Sequence, residues 1–215
     1  PHVDDHGGLL RLEYDLNDQI TLFGNAGGSH TGVDRYFASA PTILNARGDT
    51  STTPQFYDLG VDRYAYEGGV RAKFDTGFIR HALTVQASFY KEETSRYLSP
   101  AAGTYLSNIH NPTSAPYIVP ALLGTRPRLS DSTLAGVSVA DTLSVLDERM
   151  LLTLGVRRQT IKAHNYTANL GTLASSYDKS ATTPFVGLVL RPWESVSFYG
   201  NYIEGLSRGD VAPAT

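Results

Sequence analysis

The feature that most constrains the fold of this 215-residue chain is an alternation of apolar and polar side chains with a period of two residues. The segment Gly8–Leu16 (GLLRLEYDL) shows it clearly, with leucines and a tyrosine on one side and charged residues on the other. This period is typical of β-strands that have one apolar face. Eight segments carry the pattern and are predicted to be strands: Gly8–Leu16, Gln19–Thr31, Val61–Phe74, Ile79–Glu92, Ser132–Val145, Arg149–Lys162, Thr182–Arg191 and Val196–Ile203.

The connections between the predicted strands have two very different lengths. Two to four residues join the first strand to the second, the third to the fourth, the fifth to the sixth and the seventh to the eighth, whereas the other connections have about 20 to 40 residues. Loops of that length are uncommon in compact domains. The sequence therefore predicts an all-β fold, an antiparallel up-and-down meander of about eight strands, with short turns at one end and long loops at the other.

This arrangement is typical of a segment of a large transmembrane β-barrel, in which short turns alternate with long loops. Aromatic side chains near the short turns also favour a membrane interface; they are Tyr14, Phe74, Phe78 and Trp193. A soluble β-sandwich is the alternative, because a second sheet could cover the same apolar face. The net charge of −3 and the absence of cysteine predict no nucleic-acid partner, no disulfide and no thiolate metal site.

The C-terminal third of the chain resembles a known family. The segment LTLGVRRQTI (Leu152–Ile161) is followed by a long loop and then by YDKSATTPFVGLVLRPWESVSFYGNYIEGLSRGDVAP (Tyr177–Pro213). This order of motifs is similar to the mid-barrel region of TonB-dependent outer-membrane siderophore receptors of the ferrichrome or hydroxamate type. The strong likeness covers about residues 131–213, and the remainder agrees in its alternation and loop pattern.

The resemblance implies a barrel of about 22 strands with a plug domain inside it, in the outer membrane of a Gram-negative bacterium. Residues 1–215 are then expected to be an internal fragment of the β-barrel domain, without the plug domain and the remaining strands. The implied partners are a ferric siderophore, outer-membrane lipid, and the TonB complex reached through the missing N-terminal plug region. The resemblance implies neither enzymatic activity nor a cofactor or metal site of the protein's own, because the iron arrives as a ferric siderophore complex.

Two other functions stay open on the sequence alone. A different outer-membrane barrel, such as a porin or an autotransporter translocator, would show the same strand pattern without a plug domain. A soluble β-sandwich would be a binding module. A plug domain upstream would exclude the first of these functions, whereas folding into a monomer without detergent would favour the second.

A ferric siderophore needs aromatic surfaces and hydrogen-bond donors in its receptor, and tyrosine supplies both. Strand parity and loop position give the candidate ligand-binding residues Tyr57, Tyr90, Tyr97, Gln159 and Asn201. Further aromatic candidates in or beside the long loops are Tyr36, Phe37, Tyr105 and Tyr117. Each of these side chains has an alternative role, which is to pack one loop against another or to face the plug.

A second set of candidates lies on the charged side of the predicted strands, nearer the short turns. These plug-facing lumenal residues are Arg71, Lys73, Arg157 and Arg191. Their alternative role is to form ion pairs with Glu13 and Glu67 inside the barrel wall. The segment HVDDH (His2–His6) holds two imidazoles and two carboxylates, but its spacing is weak for a metal site, and it is predicted to be a solvated loop.

Overall fold

The computed structural model describes residues 2–100, 103–114 and 126–207, and all regular secondary structure in these ranges is β-strand. The strands are β1 (His2–Asn17), β2 (Ile20–Ala38), β3 (Thr42–Ile43), β4 (Asp49–Thr52), β5 (Pro54–Thr76), β6 (Ile79–Pro100), β7 (Tyr105–Asn108), β8 (Arg128–Val145), β9 (Met150–Tyr166), β10 (Leu173–Trp193) and β11 (Val196–Ile203). The described residues contain no helix that is long and apolar enough to cross a bilayer.

Eight of these strands form one sheet in the order β1-β2-β5-β6-β8-β9-β10-β11, and every neighbouring pair is antiparallel. This order follows the chain and confirms the predicted meander. One end of the sheet, called here the turn end, holds the short turns at residues 18–19, 77–78, 146–149 and 194–195. The opposite end, called the loop end, holds the longer connections at residues 39–53, 101–127 and 167–172.

The sheet has two chemically different faces because successive side chains of a strand point to opposite sides. Val70 pairs with Val85 on one side, called the apolar face, and Arg71 pairs with Thr84 on the other, called the polar face. Large side chains of the apolar face are exposed, among them Leu10, Leu12, Tyr14, Val70, Val85, Val137, Val139, Leu154 and Phe198. A sandwich would cover them with a second large sheet, and the part of the chain that the structure describes contains no such sheet.

The few buried apolar side chains of the described residues lie mainly on the polar face. They are Phe23, Phe56, Val61, Ile161 and Ala163. All except Phe56 lie on the polar face by strand pairing. Four of the five buried apolar side chains of the described residues therefore share a face with the charged residues.

Most strands are longer than the sequence pattern predicts. The third predicted strand begins at Val61, but β5 already begins at Pro54, and β10 begins at Leu173 rather than Thr182. The prediction of a connection of about 20 residues before that strand is therefore wrong, because the loop after β9 has only the residues 167–172. These extensions mix apolar and polar residues on both faces, as PQFYDLG (residues 54–60) shows, so they carry no regular apolar alternation that could identify them.

Two of the long connections meet at the loop end in a small second sheet. It has the order β3-β4-β7, so that a strand from residues 101–127 pairs with strands from residues 39–53. The Asn108 side-chain amide donates to Asp49 Oδ1 at 2.8 Å, and the Asn45 amide donates to Asp49 Oδ2 at 2.7 Å. Asn45 and then Asn108 hold the pKa of this carboxyl below its usual value by stabilising its charged form. The small sheet therefore joins the connection at residues 39–53 to the connection at residues 101–127, close in sequence to the candidate residue Tyr57.

Candidate functional site

An aromatic and cationic cluster lies on the polar face at the loop end. Strand pairing sets Arg35 of β2 directly opposite Tyr57 of β5, and Phe37 lies two residues along β2. The Phe37 and Tyr57 rings meet edge to face with centroids 6.3 Å apart. The Arg35 guanidinium carbon lies 5.0 Å from the Phe37 centroid and 4.8 Å from the Tyr57 centroid. The cluster offers aromatic faces and guanidinium donors together, as a flat oxygen-rich ligand requires.

A hydrogen-bonded group containing Tyr90 lies on the same face, further from the loop end. The Tyr90 hydroxyl donates to Glu92 Oε2 at 2.9 Å, and Arg63 Nε donates to the same oxygen at 2.8 Å. Arg63 Nη1 also reaches the Thr31 hydroxyl at 3.4 Å. These contacts join β2, β5 and β6 and fix the Tyr90 ring in one place.

Gln159 and Asn201 also lie on the polar face, but away from the cluster of Arg35, Phe37 and Tyr57. Gln159 is buried, two residues before the buried Ile161, whose partner across the ladder is Leu134. Leu134 in turn pairs with Tyr90, so Gln159 lies near the Tyr90 group. Asn201 is exposed and pairs with Gly187, closer to the turn end than the sequence predicts.

Tyr97 does not join the other candidates. It pairs with Asp58, whose neighbour Tyr57 is on the polar face, so Tyr97 lies on the opposite side of the sheet. Tyr36 lies between Arg35 and Phe37 in β2, so it too lies on the opposite side of the sheet. Tyr105 lies in the small sheet. Tyr117 lies outside the described residues. The structure therefore brings Tyr57, Tyr90 and Gln159 to one face and leaves Tyr97 on the other.

Arg71 belongs to an ion-pair network nearer the turn end. Arg71 Nη1 lies 3.1 Å from Glu13 Oε1, and Arg11 Nη2 lies 2.8 Å from the same atom. The Arg71 guanidinium also lies 4.4 Å above the Phe23 ring. Arg71 therefore forms the ion pair with Glu13 that was its alternative role, while its guanidinium stays partly exposed on the polar face.

The other three basic candidates make fewer contacts. Arg157 Nη2 approaches the Ser88 hydroxyl at 3.5 Å, and Arg191 Nη1 approaches the Glu148 carbonyl at 3.4 Å. Lys73 pairs across the ladder with Ala82 and forms no ion pair with the described residues. All three are exposed on the polar face.

The structure shows no group of three or more histidine or acidic side chains placed to hold a metal ion within the described ranges. The segment His2–His6 is part of strand β1 rather than a loop, which corrects the prediction, although it is exposed as expected. The His6 ring lies 5.3 Å from that of His30, whose Nδ1 is 2.7 Å from Asp62 Oδ1. HVDDH has four polar residues and a single valine, so it shows no alternation that would extend the predicted strand.

Three candidate functional residues were not predicted from the sequence. Arg35 and Arg63 hold the aromatic groups described above, and Arg96 lies on the same face because it pairs with Leu59. The available signal was strand parity, because Arg35 continues the odd-numbered polar positions of β2. Parity could not be applied to Arg35 and Arg96, because the predicted strands ended at Thr31 and Glu92, whereas Arg63 lay inside the predicted strand Val61–Phe74.

Comparison with known proteins agrees with this architecture. A family model described as "TonB dependent receptor-like, beta-barrel" matches residues 2–215. The ferrichrome receptor FcuA of Yersinia enterocolitica is 35% identical over 210 residues, which are 96% of this chain and 27% of FcuA. The chain therefore belongs to the TonB-dependent receptor-like β-barrel family, whose siderophore receptors lie in the outer membrane of Gram-negative bacteria.

Solved structures show the same fold. The ferric preacinetobactin receptor BauA of Acinetobacter baumannii superposes with a TM-score of 0.72 at 35% identity, over 99% of this chain and 32% of that one. The closed form of the ferric-catecholate import receptor Fiu of E. coli K12 gives a TM-score of 0.70 at 18% identity, over 94% of this chain and 32% of that one, which shows the fold alone. The chain thus spans about a third of the length of these receptors.

Proposed function

We propose that this chain is part of a receptor that binds a ferric siderophore at its loop end and imports it with energy supplied through TonB. The observation that carries the proposal is the cluster of Phe37, Tyr57 and Arg35 on the polar face of a sheet that belongs to this receptor family. Two relatives at 35% identity are named as a ferrichrome receptor and a ferric preacinetobactin receptor, and both names describe siderophore uptake.

The two faces have separate roles in this proposal. The exposed apolar face contacts outer-membrane lipid, since a lipid-facing barrel surface is apolar and carries aromatic residues at its borders. Trp193 is 63% exposed beside a short turn and fits such a border. The polar face lines the lumen, with the loop end outside the cell and the turn end toward the periplasm. Residues 1–215 then form part of the barrel domain.

The lumenal candidates lie at two levels along the strands, one near the loop end and one nearer the turn end. Tyr57, Tyr90 and Gln159 lie toward the loop end and contact the ferric siderophore, with Asn201 lower on the lumenal wall. Tyr97 lies on the outer side of the sheet, so it contacts the ligand only if a loop holds the ligand at that side. The basic residues of the lower lumen contact the plug domain that the family supplies; they are Arg71, Lys73, Arg157 and Arg191. Transport of this kind needs no covalent chemistry, and iron enters as cargo.

Binding by the full-length receptor tests the proposal. Tyr57→Ala should weaken binding of the cognate ferric siderophore by about ten- to a hundredfold, because a well-packed aromatic contact often contributes about 2 kcal/mol. Tyr202→Ala is the matched control, because Tyr202 is 59% exposed on the apolar face. If the full-length protein neither binds a ferric siderophore nor supports growth of iron-starved cells, the proposal is wrong.

A further inference from the structure

Among the described residues, two arginines at the loop end have no carboxylate partner, and Arg157 and Arg191 on the same face lack one as well. Among the described residues, ion pairs occupy Arg11, Arg63, Arg71, Arg80, Arg126 and Arg128. Arg35 and Arg96 form no ion pair with any residue that the structure describes, although both lie on the polar face above the Tyr90 group. These two residues are called here the arginine pair.

The Arg35 guanidinium is held in place without using its hydrogen-bond donors. It lies against the Phe37 and Tyr57 rings, and the side chain is exposed. Contact with an aromatic face orients the plane of a guanidinium while its N–H groups stay available at the edge. Arg35 therefore presents donors to the interior of the lumen at a fixed position.

Arg96 carries an unused donor of its own. Its Nε atom is buried and has no hydrogen-bond partner among the described residues. A buried donor without a partner is unfavourable, and a water or an ion often satisfies such a group. The acidic side chains nearest along this face are already engaged, since Glu92 accepts from Tyr90 and Arg63, and Asp5 accepts from Thr31.

The spacing of the arginine pair suits one ligand of moderate size. Arg35 pairs with Tyr57, and Arg96 pairs with Leu59, so the two arginines are two strands and two residues apart. Strand separations of about 4.8 Å and a rise of about 3.4 Å per residue put their Cα atoms about 12 Å from each other. Two long side chains at that distance can reach opposite sides of the same chelate.

We propose that the arginine pair makes the receptor selective for ferric siderophores that carry net negative charge through carboxylate or catecholate oxygens. This inference rests on the proposed function. Guanidinium groups bind anionic oxygens with short, charge-assisted hydrogen bonds, and catecholate rings can also stack on Phe37 and Tyr57. A ferric tris-hydroxamate is neutral, because its three singly charged groups balance the iron, so it would leave both cations uncompensated when bound.

Binding constants for three ferric complexes test this selectivity. The full-length receptor in detergent is titrated with ferric citrate, with a ferric tris-catecholate and with neutral ferrichrome. At least one anionic complex should bind more tightly than ferrichrome. Arg35→Gln should weaken its binding by about ten- to a hundredfold, the loss expected from one charge-assisted hydrogen bond. Arg96→Gln should act in the same direction, and ferrichrome binding should change less than about twofold.

Two further variants separate charge from folding. Arg35→Lys keeps the positive charge and should recover part of the binding that Arg35→Gln loses. Arg158→Gln removes one charge from the apolar face, where Arg158 donates to Thr182, and should leave all three binding constants unchanged. Tighter binding of ferrichrome than of both anions, or an equal loss for neutral and anionic complexes, would overturn the inference and leave the proposed function standing. Failure to bind any ferric complex would overturn the proposed function as well.

Discussion

Replacing Gly69 with alanine tests whether the polar face is packed as closely as the structure shows. Gly69 lies on β5 beneath the Phe23 ring, and the Arg71 guanidinium lies above that ring. A Cβ atom at position 69 would meet the Val85 carbonyl oxygen and would lie 2.8 Å from Phe23 Cζ and 2.9 Å from Gln86 Cα. Two of these three atoms belong to the backbone of the neighbouring strand, so they can move only if the ladder moves.

The expected cost follows from those contacts. Forcing an extra methyl group into a well-packed site costs about 1–3 kcal/mol, and backbone atoms yield less than side-chain ends. We therefore expect Gly69→Ala to lower the free energy of unfolding by about 2–3 kcal/mol. Gly68→Ala is the matched control on the adjacent residue, where the nearest atom to a new Cβ is the Phe23 carbonyl oxygen at 3.5 Å, an ordinary contact. We expect a change below about 0.5 kcal/mol for that variant.

Urea unfolding of the full-length receptor in detergent, followed by fluorescence and by the gel mobility of the folded barrel, measures both variants. We expect a lower unfolding midpoint for Gly69→Ala alone, with an unchanged slope against urea concentration. Equal stability of the two variants would show that the Phe23 ring and the neighbouring strand do not enclose position 69, and the close packing of the polar face would be refuted.

Three more predictions concern other contacts of the described residues. Phe185→Ala should lower the free energy of unfolding by about 2 kcal/mol in the same assay, because the half-buried Phe185 ring covers Gly155; no loss would contradict this packing. Glu13→Gln should leave the urea midpoint almost unchanged, because its ion pairs with Arg11 and Arg71 are partly exposed and exposed ion pairs contribute little; a large downward shift of the midpoint would refute this. Asp49 has a lowered pKa, so its stabilisation of the small sheet is present above the unfolded-state pKa of about 3.9 and is lost as pH falls through the lower folded value. Amide exchange of residues 105–108 should therefore accelerate in acid, and an Asp49→Asn variant that keeps this acid response would count against the assignment.

The sequence by itself determined which strands form the meander and which side chains share a face. Residues such as Leu10 and Arg11 are separated by one position, and the two-residue period of a strand places them on opposite sides in any sheet. The short turns then fixed neighbouring strands as antiparallel partners. These local signals were sufficient for the fold class and for the family, because they act between residues close together in the chain.

Only the tertiary structure decided how far the strands continue and what meets at the loop end. Arg35 and Tyr57 are separated by the loop at residues 39–53, and strand register alone brings them together. Register also separates Tyr97 from Tyr57, although both were predicted from their place beside the loops. The extended strand ends mix apolar and polar residues on both faces, so no local alternation identifies them. Backbone hydrogen bonds to neighbouring strands specify these segments, and such bonds join residues that are distant in sequence.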